Sequence, residues 1–157
     1  MIETLSETSR IWIYQSNRPF TKEELPLVKA QLDQFAKHWV SHNNQLTAVA
    51  EILHDRFIVL LVDESRAGAS GCSIDSSVRF LKSLQAQFDV DLFDRMRFSY
   101  QQGEVVKTVS REAFADLYAR GEIDDETLVF DTLVNSKKAF DEGWVKPLKD
   151  SWHSRMV

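Results

Sequence analysis

Phe57-Ile58-Val59-Leu60-Leu61-Val62 is apolar at every position, and a strand with apolar side chains on both faces belongs in the middle of a covered sheet rather than at its edge. The neighbouring residues extend this reading. Upstream, Leu46, Ala48, Ala50 and Ile52 alternate with Thr47, Val49 and Glu51, as a strand with one well-buried face does, and the His54-Asp55 corner leads straight into the apolar run. Downstream, Ala67–Ser77 (Ala-Gly-Ala-Ser-Gly-Cys-Ser-Ile-Asp-Ser-Ser) carries two of the chain's five glycines and its single cysteine. It reads as a strand-to-helix loop, and the helix after it puts Val78, Leu81, Leu84 and Phe88 on one side.

The rest of the chain falls into place around this centre. Arg10–Gln15 reads as the first strand, ended by Ser16, Asn17, Arg18 and Pro19. Thr21 and Glu24 have capping-box spacing, and Pro26 moves the regular start of the helix toward Leu25. Val28, Leu32, Phe35 and Trp39 share one face of that helix, which Asn43 and Asn44 end. Arg95–Gln101 and Glu104–Val109 form a hairpin across Gln102-Gly103. Ser110 caps a third helix with Phe114, Leu117 and Tyr118 on its apolar face, and Gly121 stops it. Leu128–Val134 is a sixth strand, Ser136 caps a short last helix, and Trp144, Pro147 and Trp152 mark a C-terminal segment packed on the body. Met1–Thr8 is expected to be a loose tail.

The order β-α-β-β-α-β over residues 10–101 predicts an α+β fold with a ferredoxin-like, split β-α-β core of mainly antiparallel sheet, followed by a β-α-β-α extension over 102–157, all in one domain. The reading takes the first and third strands as the two central, parallel ones. Both core helices then lie on one face of the sheet, and its other face needs a cover from the extension or from a second subunit in a homodimer.

Composition narrows the function classes. At 157 residues, 43% hydrophobic and 27% charged, the chain has the make-up of a soluble globular domain. A net charge of -5 and a pI near 5.4 leave no electrostatic footprint for duplex nucleic acid. The longest apolar run is far short of the ~20 residues of a bilayer span, and Met1–Arg10 lacks the basic start and apolar core of a signal peptide. One cysteine cannot form an intrachain disulfide. A cytoplasmic protein without membrane, nucleic-acid or cofactor partners is expected.

With the first and third strands parallel, Arg18 and Asn17 come close to the glycine loop. A small anionic or polar ligand is then held by Arg18, Asn17, Gly71 and Ser73, with the N–H groups at the helix start behind it. Two other classes stay open. Cys72 can be the nucleophile of a thiol enzyme (acyl transfer or redox), with Ser73 or backbone N–H groups as oxyanion donors and His153 or Asp75 assisting. The same geometry puts His38, His42 and His54 at the opposite pole from Cys72. Alternatively the chain is an interaction module presenting a sheet face or Trp144 and Trp152. His38 and His42 have the i, i+4 spacing of helical metal ligands but lack further ligands, and Asp89, Asp91 and Asp94 read as a charged turn; no metal site is expected.

Ile11–Phe20 (Ile-Trp-Ile-Tyr-Gln-Ser-Asn-Arg-Pro-Phe), Ser70–Asp75 (Ser-Gly-Cys-Ser-Ile-Asp) and Ser151–His153 (Ser-Trp-His) together resemble an uncharacterised bacterial protein family over nearly the whole chain. Members of that family are often labelled ABC transporter ATPases. This sequence has no Gly-x-x-x-x-Gly-Lys-Ser/Thr phosphate loop, and Ser70-Gly71-Cys72-Ser73 is not an ABC signature. The resemblance therefore implies a bacterial, cytoplasmic context and no activity.

Overall fold

The computed structural model describes residues 2–65 and 67–157. The chain forms β1 (Arg10–Gln15), α1 (Glu24–His38), a two-strand ribbon of β2 (Val40–Ser41) and β3 (Asn44–Gln45), then β4 (Thr47–Leu53), β5 (Phe57–Asp63) and α2 (Gly71–Phe88). It continues through β6 (Arg97–Gln102), β7 (Val105–Ser110), α3 (Arg111–Ala119), β8 (Leu128–Phe130), α4 (Lys137–Gly143) and β9 (Val145–Pro147), and ends in two short 3-10 turns. It is an α+β fold with antiparallel sheets. No helix among the described residues is long and apolar enough to cross a membrane.

The apolar run is the centre of the first sheet, whose order is β1-β5-β4. Its alternate side chains feed two cores. Ile58, Leu60 and Val62 pack with Val28 and Leu32 of α1 and Leu81 and Leu84 of α2. Phe57, Val59 and Leu61 face the other way, against Val106, Phe130 and Trp144. All six are essentially inaccessible, and burying each such side chain contributes roughly 1.5–3 kcal/mol. The cover on the second face comes from the chain's own C-terminal half.

The direction of the first strand differs from the sequence expectation. β1 runs antiparallel to β5, with Arg10 opposite Val62 and Gln15 opposite Phe57. The reason is the number of chain reversals: the helical crossover through α1 brings β4 back parallel to β1, and the tight hairpin from β4 to β5 adds one more reversal. The strand after α2 does not complete a four-stranded ferredoxin-like sheet either. β6 belongs to a second sheet of order β7-β6-β8-β9. The outer edge of β1 is instead met near its start by the chain before α4, where the Ile11 N–H donates to the Asn135 carbonyl (3.2 Å) and the Lys137 N–H to the Ser9 carbonyl (2.8 Å). At its other end the Gln15 side chain donates to the Arg97 carbonyl and accepts from the Ser99 hydroxyl.

Two smaller expectations are also corrected. The sixth strand stops at Phe130 because Asp131 turns the chain, its carboxylate accepting from Leu133 N–H, Lys146 and the Trp152 indole. The N-terminal tail is tied down: Met1 lies outside the described residues, but Ile2 and Leu5 pack on the second core and the Lys138 N–H donates to the Glu7 carbonyl. The caps at Ser110 and Ser136 form as their sequence positions require.

Candidate functional site

The antiparallel pairing separates the residues expected to share a ligand. Arg18 donates to the carbonyl of Phe88 (2.6 Å), the last residue of α2. Gly71 is the first, and a helix of 18 residues spans about 27 Å. Arg18 is also engaged: its guanidinium forks onto the Glu24 carboxylate at 2.8 and 3.0 Å. Glu24 in turn closes the capping box with Thr21. Asn17 exchanges hydrogen bonds with the backbone of Asp91. At the far end, Ser70 and Ser73 cap each other, and the hydroxyl of the buried Ser73 also donates to the Ser70 carbonyl.

Arg18 is thus a clip that fastens the end of β1 to the start of α1 and the end of α2. Its guanidinium, and after it the Thr21 N–H, hold the Glu24 carboxyl down at about 2. A depressed carboxylate adds stability above its unfolded value near 4.3 and loses it as pH falls through the folded one. Between pH 4.5 and 2 the wild-type protein should lose more stability than Glu24→Gln, as followed by urea unfolding.

Of the thiol-enzyme residues, Cys72, Ser73 and Asp75 stay together at the start of α2, and His153 is set apart from them. Cys72 and Asp75 are exposed on the first turns of α2. His153 is 1% exposed, packed among Phe98, Phe114 and Trp152 beside the second sheet, with its Nδ1 at 2.6 Å from the Ser151 hydroxyl. His38 ends α1 at the pole where the Trp39 indole donates to the Ser73 carbonyl (2.8 Å), so the end of α1 meets the start of α2 instead of lying opposite it. His42 is not on that helix: with Asn43 it forms the positive-φ tip of the β2-β3 ribbon, which removes the helical i, i+4 relation. No group of three or more potential ligands among the described residues is placed to hold a metal ion. Cys72→Ser should leave stability within about 0.5 kcal/mol, and iodoacetamide should label the wild-type protein without unfolding it.

A different cleft draws together groups that the sequence keeps apart. The β4-β5 corner turns through His54 and Asp55, both with positive φ (51° and 58°), the pair of conformations a type I′ turn requires and Asn-Gly adopts most easily. The ladder pairs Leu53 with Phe57, while the Arg56 N–H donates to the Leu53 carbonyl. Arg56 is therefore the extra residue of a bulge, a device that re-aims a side chain. The His54 ring is held against Phe130 and Trp144 at 5.3 and 5.9 Å, and the Phe20 N–H fixes the Asp55 carbonyl at 2.7 Å.

Facing this corner is the tip of the β6-β7 hairpin. Pro19, His54, Asp55 and Arg56 on one side and Glu104, Val105 and Val106 on the other enclose a cleft of about 340 Å³, within the usual size of small-ligand sites. Arg56 is only 8% exposed. Its guanidinium forms no ion pair and no hydrogen bond among the described residues, and burial pushes its pKa down from the ordinary arginine value. A guanidinium stays charged at neutral pH and is costly to bury unpaired, and its planar fork matches a carboxylate or phosphate.

A more open, apolar depression of about 440 Å³ lies between α1 and α2, lined by Phe35, His38 and Phe80, whose phenyl rings stack at 4.4 Å. Of the aromatic residues expected to meet a partner, Trp144 is buried in the second core and Trp152 is half-buried against the third. Compared with known proteins, the chain matches no family model, no curated protein and no solved structure.

Proposed function

We propose that the protein binds a small anionic ligand, without transforming it, in the cleft between the His54-Asp55 corner and the Glu104 hairpin tip, with Arg56 as the anion-holding group. The ligand class expected from the sequence is kept, while its site moves from Arg18 and the glycine loop to a different arginine. A single observation carries the reading: Arg56 is nine-tenths buried, lines an open cleft and has no side-chain partner among the described residues. A ligand carboxylate or phosphate would supply the missing acceptors in a partly desolvated place, where charge-assisted bonds are strongest. No nucleophile and base share the cleft in the manner of a covalent catalyst, which favours binding over chemistry. A bacterial, cytoplasmic setting goes with this reading.

The test is titration calorimetry with sodium acetate and with inorganic phosphate. One buried arginine contact supports a dissociation constant on the order of 1 mM, and the heat should saturate in the wild-type protein and vanish in Arg56→Met. Equal binding by both proteins, or none by either, would overturn the assignment.

A further inference from the structure

Resting on the same cleft, we infer that its ligand is a zwitterion, of the class of a free α-amino acid with a small aliphatic side chain. The cleft sets one guanidinium, Arg56, against two carboxylates, Asp55 and Glu104, and neither carboxylate pairs with Arg56. Asp55 and Glu104 come from hairpin tips on different sheets, so their shared cleft is a product of the fold and not of sequence proximity.

A plain anion on Arg56 would gain that contact and bring nothing to the two carboxylates that line the same cleft. A plain cation would satisfy the carboxylates and leave the buried guanidinium alone. A molecule with a carboxylate and an ammonium group on one carbon satisfies both signs at once, its carboxylate on the largely buried Arg56 and its ammonium toward the two exposed carboxylates. Pro19, Val105 and Val106 supply the apolar wall for an aliphatic substituent.

The probes are L-valine, N-acetyl-L-valine, which keeps only the anion, and L-valinamide, which keeps only the cation, each titrated by calorimetry and by backbone amide NMR shifts. L-Valine should bind at least about tenfold more tightly than either blocked form, with shifts centred on residues 54–56 and 104–106. Asp55→Asn with Glu104→Gln should bring L-valine down to the level of N-acetyl-L-valine; both sites are exposed, and Asn tolerates the left-handed conformation of residue 55. If N-acetyl-L-valine or acetate binds as tightly as L-valine, the zwitterion is overturned while the anion reading stands. If neither acetate nor L-valine binds, or if Arg56→Met still binds them, both readings fall together.

Discussion

Arg56→Met should make the protein more stable, by about 1–3 kcal/mol, while abolishing its affinity for anions. Methionine keeps the length and apolar stem of arginine, and the bulge at residue 56 makes its backbone bonds, to the Leu53 carbonyl and from the Ser16 N–H, whatever the side chain. What disappears is the guanidinium of a residue that is only 8% exposed and that has no counter-charge among the described residues. Taking one partner from a buried ion pair is destabilising because it strands the other charge; here the charge is stranded already, so removing it relieves the penalty. Equilibrium urea unfolding at pH 7 without added anion measures the difference. Saturating acetate should narrow it, since a ligand at 100 times its dissociation constant stabilises the wild-type protein alone by about 2.7 kcal/mol. A loss of several kcal/mol in Arg56→Met would mean instead that the guanidinium is built into the fold.

The second large effect is acid sensitivity through His153. Burial drives its pKa down from 6.5 to about 4, with Asp131 opposing that shift and Lys146 adding to it. The folded chain therefore holds the imidazole neutral over a range where the unfolded chain protonates it. Stability falls as pH drops from 6.5 to about 4 and levels off below, once both states carry the proton. At 1.36 kcal/mol per unit the full loss is about 3 kcal/mol, a large share of the 5–15 kcal/mol that holds a typical domain together. His153→Gln removes the titration and keeps a group able to bond the Ser151 hydroxyl. Repacking among Phe98, Phe114 and Trp152 will change its stability at pH 7, so the readout is the slope: wild type should fall steeply between pH 6.5 and 4 and the variant by about 3 kcal/mol less. Parallel slopes would refute the assignment.

What the sequence made legible follows the strength of local signals. A six-residue run with no polar position had to be a central strand, and Thr21 with Glu24 closed the box that their spacing implied. Strand direction was not local. It depends on counting reversals through α1 and one hairpin, and reading β1 and β5 as parallel moved Arg18 to the glycine loop and His38 away from it, both the wrong poles, while His54 kept its place opposite Cys72. Glycine content drew attention to Gly68 and Gly71, neither of which needs a positive φ.

The cleft had only a faint signature. Arg56 reads as an ordinary charge after a turn, because the cleft it lines is completed by the β6-β7 hairpin tip some fifty residues later. The one available hint was the corner itself, His54-Asp55, occupying a turn that Asn-Gly would form with less strain. His153 was equally hidden: nothing local to Ser-Trp-His distinguishes a free base from a ring sealed between two phenylalanines.

The most direct test of the central claim is the arginine Nε–H NMR spectrum during an acetate titration, with Arg56→Met identifying the Arg56 resonance. This one resonance should move in a saturable way while those of Arg18, held by Glu24, and of the surface arginines stay in place. An Arg56 resonance that stays fixed while the others drift with salt would contradict it.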